Sequence, residues 1–311
     1  NPDDDRWEMY LELQEMYAIL QRWYNDKELY HYLGFLFFNF KAQTPFRDIY
    51  TQWKALNSRD KFLKDIQHTI ATRMLDRYLE ETEKAAPDYQ KCLKTMTEAI
   101  SDFRENWYNN DKELYQILIL LDIFRILDSK SIKKLPTDYF TRKSGQKDGE
   151  DKEHILSQTP RKDNGEITTI KTDWEKFVQS EDFKDIRSQM QDILNHSDAE
   201  LTEQELIQLQ NLLNSAGLNS IGNMALLDLR INRSYGNADY THKRTIIFQE
   251  YMNQKYVRPH TLAVFMKGDI DAREATGIPL NRWTLEDIKR NTDKIAKEIG
   301  KNFNAWLTQN N

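Results

Sequence analysis

Apolar side chains recur every three or four residues along the first third of the chain, which is the spacing of one face of an α-helix. The first stripe follows Pro2 and three aspartates, which are residues typical of a helix start. It consists of Trp7, Tyr10, Leu11, Leu13, Tyr17, Leu20 and Tyr24. A second helix is predicted from about Lys27, and its apolar run to Phe38 indicates burial on more than one side.

The same spacing predicts three further helices, at about 45–56, at 58–83 with Ser58 as its cap, and at 89–107. We therefore expect residues 1–135 to form a helical domain. Within it, Trp23-Tyr-Asn-Asp-Lys-Glu-Leu-Tyr30 is nearly repeated as Trp107-Tyr-Asn-Asn-Asp-Lys-Glu-Leu-Tyr115. We interpret the two copies as similar corners between amphipathic helices, with two pseudo-equivalent binding surfaces as the alternative.

A basic segment follows the helical region, and we expect a linker at 136–151. Between Ser129 and Lys147 one acid, Asp138, stands against Lys130, Lys133, Lys134, Arg142, Lys143 and Lys147. Such a segment can simply be solvated. Because cations on a loop neutralise phosphates without rigid placement, we also predict that Arg142 and Lys143 contact nucleic acid.

Residues 159–217 form a mostly helical pattern of their own. The apolar positions are Trp174, Phe177, Phe183, Ile186, Met190 and Leu194. Thr202 and Glu205 have the spacing of a capping box, and Gly217 marks a helix end. We expect either a lid that shapes a substrate site or a decoration packed on the outside.

Composition narrows the class of protein. In the 311 residues, apolar side chains make up 39% and charged side chains 30%, which favours an elongated helical protein with polar faces. The net charge of −6 gives no global attraction to nucleic acid, so any such contact must be local. The single cysteine, Cys92, excludes a disulfide framework and a CxxC zinc site within the chain. We expect it to pack as a small apolar residue in a helix.

Targeting signals and common nucleotide motifs are missing from the sequence. It has no run of 18 apolar residues and no signal-peptide pattern, so a bacterial cytoplasmic location and no membrane partner are expected. The sequence contains no Walker-type phosphate loop, no GxGxxG motif and no GxSxG motif. The chain starts without Met, and we interpret it as a fragment of a longer protein.

Two stretches carry candidate chemistry. Lys152-Glu-His-Ile-Leu-Ser-Gln158 places a carboxylate beside an imidazole on a β-prone run, so that one can hold a metal ion while the other takes a proton from water. Gly222-Asn-Met-Ala-Leu-Leu-Asp-Leu-Arg-Ile-Asn232 contains two asparagines nine residues apart around a short apolar strand. About sixty residues separate the two stretches.

This combination resembles the ββα-metal, or HNH, nuclease site. More narrowly, it resembles the C-terminal nuclease domain of the GmrSD-type modification-dependent restriction endonucleases, over about Lys152 to Trp306. The similarity also rests on Tyr240 with Lys243-Arg244 and on Trp283-Thr-Leu-Glu-Asp-Ile. Ser157 departs from the family, which usually has proline there. The resemblance implies a mainly α fold in which a small ββα-metal (HNH, His-Me finger) core is embedded in helices at 152–311, with 159–217 inserted.

The resemblance also implies roles for individual residues. His154 is the expected general base, and Glu153 and Asn232 are the expected ligands of Mg²⁺ or Mn²⁺, which prefer oxygen donors. Asn223 is expected to hold the His154 ring through its side-chain amide or its backbone. Since side chains alternate along a strand, Glu153 and His154 should point to opposite faces. The expected nucleic-acid contacts are Asn237, Lys243 and Arg244, with Asp228 as a reserve metal ligand and His242 as an exposed residue.

The implied function is that of a metal-dependent DNA endonuclease or nickase in bacterial defence against phage. The expected partners are foreign DNA and an upstream nucleotide-hydrolysing domain that senses DNA modification. Two alternatives stay open at this point. One is an RNA-cleaving nuclease of the same chemistry, and the other is a helical interaction module with a relic site.

Overall fold

The structure, a computed structural model, describes residues 2–131, 134–141, 149–157, 159–160, 162, 166–231, 240–267 and 281–309. These residues are mainly helical, as the sequence predicts. The first half contains α1 (Pro2–Asn25), α2 (Lys27–Asn39), α3 (Phe46–Leu56), α4 (Arg59–Leu75), α5 (Tyr89–Ser101) and α6 (Asp111–Asp128). The second half contains β1 (Glu150–His154), α7 (Lys171–Val178), α8 (Arg187–Asn195), α9 (Glu203–Ser215), β2 (Met224–Asp228), α10 (Tyr240–Met252), α11 (Pro259–Met266) and α12 (Leu285–Thr308).

Local signals explain several helix boundaries. Thr202 and Glu205 form the capping box that their spacing predicts, and Gly217 has a left-handed φ of 86° just after α9. The Ser58 hydroxyl accepts from the backbone of α4 as expected. However, α4 ends at Leu75 and not near Glu83. The chain turns there, and the hydroxyl of Tyr78 donates to a carboxylate of α6 at 2.6 Å, so tertiary contacts override the local helical preference.

The two strands form an antiparallel ribbon that lies between two hydrophobic cores. In its register Glu150 pairs with Asp228 and His154 pairs with Met224. Side chains alternate between the faces of a strand. On β2, Met224 therefore packs into the first core and Ala225 into the second, and this alternation continues along the strand. The ribbon thus gives adjacent residues of β1 different surroundings.

The first core belongs mostly to α1–α6, but the last helix of the chain completes it. Residues Ile295, Ala296, Ile299, Phe303 and Trp306 of α12 are buried there. Gly222, just before β2, lies so close to α12 that a Cβ at this position would be 2.2 Å from the carbonyl oxygen of Ile288. Glycine at 222 is therefore required for the close approach of the ribbon to α12.

The second core contains α7–α11 and the second face of the ribbon. Trp174, Phe183 and Leu209 of the insertion are buried in it, together with Ile155 and Ala225 of the strand region. The insertion therefore shares its hydrophobic core with the ribbon in this half of the molecule. Its role as a lid and the proposed division of the chain at residues 135 and 152 stay predictions.

A buried ion cluster fixes the start of β1. Arg258 donates to Glu150 at 2.6 and 2.7 Å and to Asp122 of α6 at 2.8 Å, and all three side chains are buried. Burial alone would lower the pKa of Arg258, but the two carboxylates raise it above its usual value. Because a charge left unpaired in the interior is costly, the cluster ties the strand to the first half of the molecule.

The described helices include none that is both long and apolar enough to cross a membrane. The single cysteine, Cys92, is buried in α5 as expected.

Candidate active site

His154, the last residue of β1, is held on two sides. Its Nε2 lies 2.9 Å from Oδ1 of Asn219, and its ring stacks on that of Tyr108 with centroids 4.6 Å apart and planes at 21°. The Asn219 amide is oriented by its own nitrogen, which donates to Asn214. Because an amide oxygen only accepts hydrogen bonds, Nε2 carries the hydrogen in the neutral imidazole. Nδ1 is then the nitrogen with the lone pair.

Both partners of the imidazole belong to one backbone junction. Tyr108 lies in a short 3-10 turn, Trp107–Asn109, which precedes α6. The amide of Trp107 donates to the carbonyl of Asn219 at 2.9 Å, and the Trp107 side chain is buried. The ammonium of Lys152 contacts the carbonyl of Tyr108 and lies 4.0 Å above its ring. The first half of the molecule therefore supplies part of the surroundings of His154.

Asn223 does not make the contact with the imidazole that the sequence suggested. Its side chain accepts from the amide of Leu156 at 2.8 Å and donates to the carbonyls of Leu156 and Leu218. Its backbone carbonyl accepts from Ile155 at 2.9 Å. The side chain that hydrogen-bonds the ring is Asn219, whereas Asn223 fixes the backbone just beyond His154.

Glu153 points to the opposite face of β1 from His154, as strand alternation predicts, and meets Lys243 of α10 there. The Lys243 ammonium donates to Glu153 Oε1 at 2.6 Å and to the carbonyl of His154 at 2.7 Å. The Lys243 side chain is 1% exposed. In the structure its ammonium is therefore directed to protein groups and not to the surface, and its role as a phosphate contact stays a prediction.

Three of the remaining candidates lie in the described residues, and four lie outside them. Arg244 is half-buried, with Nε donating to the carbonyl of Phe265 at 2.9 Å. Asp228 of β2 lies opposite Glu150 of β1. Glu150 is three residues from Glu153, so Asp228 is displaced from Glu153 by about 10 Å along the strand direction. That distance removes Asp228 as a partner of Glu153 in one metal site. His242 is exposed, as expected. Outside the described residues lie Arg142, Lys143, Asn232 and Asn237.

The donor atoms fit a hard cation that keeps most of its own water. Among the described residues, no three His, Cys, Asp or Glu side chains gather into a metal-binding group. Lys243 donates to Oε1 of Glu153, and no residue in the described ranges hydrogen-bonds to its other oxygen, Oε2. Mg²⁺ is typically bound through one or two carboxylates, with water and substrate phosphates completing its shell. A single open carboxylate oxygen is consistent with such a site.

Comparison with known families decides the classification. The family model of the C-terminal domain of GmrSD restriction endonucleases matches residues 97–298, which is more than half of the chain. The chain belongs to this family. Membership assigns it to the C-terminal domain of a restriction endonuclease and confirms the resemblance to this family. No curated protein and no solved structure matches the chain.

The range of the GmrSD match differs from the range expected. It begins at residue 97 and not near Lys152, so it includes Tyr108 and the whole of α6, and it stops short of Trp306. Sequence reasoning missed Tyr108 and Asn219 as surroundings of His154. The repeated Trp-Tyr-Asn segment drew attention to Tyr108 without indicating its partner. Asn219 had no signal beyond its position three residues before Gly222.

Proposed function

We propose that this domain is a metal-dependent DNA endonuclease or nickase of the HNH type, with His154 as its general base. The observation that carries the proposal is the environment of His154, which is fixed on one nitrogen by Asn219 and on one face by Tyr108. A general base must present a lone pair in a fixed direction, and a neutral imidazole protonated at Nε2 presents one at Nδ1.

The order of elements supports the HNH assignment. An acidic residue and a histidine end the first strand, Asn223 precedes the second strand, and α10 follows in the chain. In the proposed reaction Nδ1 of His154 takes a proton from the water that attacks the phosphorus atom. The bond from phosphorus to the leaving sugar oxygen then breaks. Asn219 and Tyr108 hold the ring during this transfer, and Asn223 holds the backbone beside it.

Glu153 and Asn232 would hold Mg²⁺ or Mn²⁺ in this proposal. A divalent cation bound there supplies positive charge to the phosphate and to the leaving oxygen. The proposed substrate is foreign DNA, and the proposed role is restriction of phage. Family membership supports DNA as the substrate, since restriction endonucleases cut DNA.

The test is cleavage of supercoiled plasmid by the purified chain with Mg²⁺ or Mn²⁺. We expect conversion to open-circle or linear DNA. His154→Ala should lower the rate by at least about 100-fold, because general-base catalysis contributes about 10²–10⁴. His196→Ala is the matched control, since His196 is an exposed histidine at the end of α8. It should cut like the wild type.

Two results would overturn the proposal. One is a wild-type chain that is inert with both metals, and the other is a folded His154→Ala variant that cuts as fast as the wild type. A matched RNA substrate run in parallel identifies the substrate class. Cleavage of RNA alone would reject DNA as the substrate.

A further inference from the structure

Lys243 is the most completely enclosed cation near the candidate site. Its side chain is 1% exposed, and Glu153, its ion partner, is 18% exposed. Taking an ammonium out of water is costly unless close partners compensate. Lys243 has two such partners on one strand end, a carboxylate oxygen of Glu153 and the carbonyl of His154. The ammonium therefore links the side chain of one candidate residue to the backbone of the next.

This link has a geometric consequence for Glu153. A carboxylate has two oxygens, and a free carboxylate rotates and exchanges them. With Oε1 hydrogen-bonded to Lys243 at 2.6 Å, rotation of the group is restricted, and Oε2 is the oxygen left to another ligand. The bond to the carbonyl of His154, at 2.7 Å, fixes the peptide that joins the two residues. One side chain on α10 thus contacts both the carboxylate of Glu153 and the backbone of His154.

We propose that Lys243 is a positioning residue, which locks Glu153 so that a single carboxylate oxygen is presented to a divalent cation. The inference rests on the proposed function, because it concerns the same metal site. It gives Lys243 a role without contact to DNA or to the cation. Partners that orient metal ligands in this way typically change metal affinity about 10–100-fold when they are removed.

The experiment measures Mn²⁺ affinity directly, by the electron paramagnetic resonance signal of free Mn²⁺, without DNA. We expect Lys243→Met to bind Mn²⁺ at least about tenfold more weakly than the wild type. The matched control is Lys267→Met. Lys267 is an equally buried lysine whose ammonium donates to Asp287 at 2.9 Å, at the junction of α11 and α12. It should lose stability but keep the Mn²⁺ affinity of the wild type.

A thermal unfolding scan without metal checks that each variant is folded. If Lys243→Met does not fold, Lys243→Gln carries the same expectation, because its shorter, uncharged side chain no longer holds both Glu153 and the carbonyl of His154, while its amide stays polar in the buried position. Unchanged or tighter Mn²⁺ binding by the folded variant overturns the inference. Tighter binding would mean that the ammonium competes with the cation. An equal loss in Lys267→Met also overturns it.

The outcome separates the inference from the function on which it rests. If the wild type binds Mn²⁺ and cuts plasmid while Lys243→Met binds Mn²⁺ equally well, only the role of Lys243 is wrong. If the wild type binds no Mn²⁺ and cuts nothing, the proposed function fails, and the inference fails with it.

Discussion

The two copies of the Trp-Tyr-Asn segment have the same core and different surroundings. Trp23 and Trp107 are both buried in the first core, and both precede a helix, α2 or α6. Tyr24, after the first tryptophan, is 58% exposed and has the ammonium of Lys134 above its ring. Tyr108, after the second, stacks on His154. One corner therefore faces solvent, and the other faces the candidate base.

The aspartates of the two copies diverge in the same way. Asp26 caps α2 by accepting from two of its amides, and it pairs with Arg59 at 2.8 Å, so both of its roles lie within the first half. Asp111 pairs with Lys152 of β1. The second copy thus makes an ionic contact and an aromatic contact with the strand that carries His154.

The comparison shows that a repeated helix corner can be structural in one place and part of a site in another. Both corners use a buried indole as an anchor, and the exposed residues beside it determine what the corner contacts. The family match, at 97–298, contains the second copy and not the first. The second corner therefore lies within the range matched by the C-terminal domain of the family, although it lies in the helical half of the sequence.

The largest expected effects concern the buried tryptophan that the two copies share. Trp23→Ala and Trp107→Ala should each lower the free energy of unfolding by about 3–5 kcal/mol, the usual cost of removing a large buried aromatic side chain. Urea unfolding followed by circular dichroism measures both. Among the described residues neither indole nitrogen has a hydrogen-bond partner, so Trp→Phe at each site should cost less than Trp→Ala. If only one tryptophan proved important for stability, the two corners would not be structurally equivalent.

Much of the fold could be predicted from local signals. Helix spacing identified most helices of the first half, and the capping box at Thr202 was confirmed because both of its members lie within one turn. The end of α4 could not be predicted, since the contact of Tyr78 with Glu113 joins residues 35 positions apart. Spacing along a chain contains no information about such contacts.

The candidate site was predictable only in part, for the same reason. Glu153 and His154 are adjacent in sequence, so strand alternation was enough to place them on opposite faces. The burial of Lys243 was not predictable, because its partner lies 90 positions away on β1. A lysine near a helix start is usually exposed, and only the packing of α10 against the ribbon encloses it. Asn219 was missed because a polar residue in a loop has no periodic pattern.

The next largest effect is a pH dependence of stability that we expect from the first copy and not from the second. His31 follows Tyr30 in the first copy, and Gln116 occupies the equivalent position in the second. The ring of His31 is buried, and its Nε2 accepts from the amide of Leu135 at 3.0 Å, which requires a neutral imidazole. Burial lowers the pKa of His31 to about 4. In the unfolded chain the pKa of His31 is near 6.5, so the unfolded state takes up the proton first as the pH falls.

The stability from neutral His31 is therefore complete above about pH 6.5 and is lost as the pH falls from there toward 4. At pH 5 we expect a loss of about 2 kcal/mol from this residue. The test compares urea unfolding at pH 7 and pH 5 for the wild type and for His31→Gln, which copies the second corner. The variant should lose less stability than the wild type by that amount. Equal losses would show that His31 does not account for this part of the acid sensitivity.

The smallest expected effect concerns the aromatic rings that distinguish the two corners. Tyr108→Ala should lower the plasmid-nicking rate about two- to tenfold, because a stacked aromatic pair contributes about 0.5–1.5 kcal/mol and 1.4 kcal/mol corresponds to a factor of ten. The matched variant, Tyr24→Ala, removes the equivalent ring from the corner that faces solvent and should leave the rate unchanged. Initial rates at saturating Mg²⁺ and DNA measure both.

Tyr108→Phe separates the ring from its hydroxyl. If stacking on His154 is what matters, the phenylalanine variant should nick close to the wild-type rate, since the ring that covers the imidazole is retained. Equal effects of Tyr24→Ala and Tyr108→Ala would contradict the comparison, because a general loss of stability in the first half would then explain both. A loss specific to Tyr108 would instead mean that the second corner holds the candidate base in place. The helical half would then be part of the active site and more than a support for it.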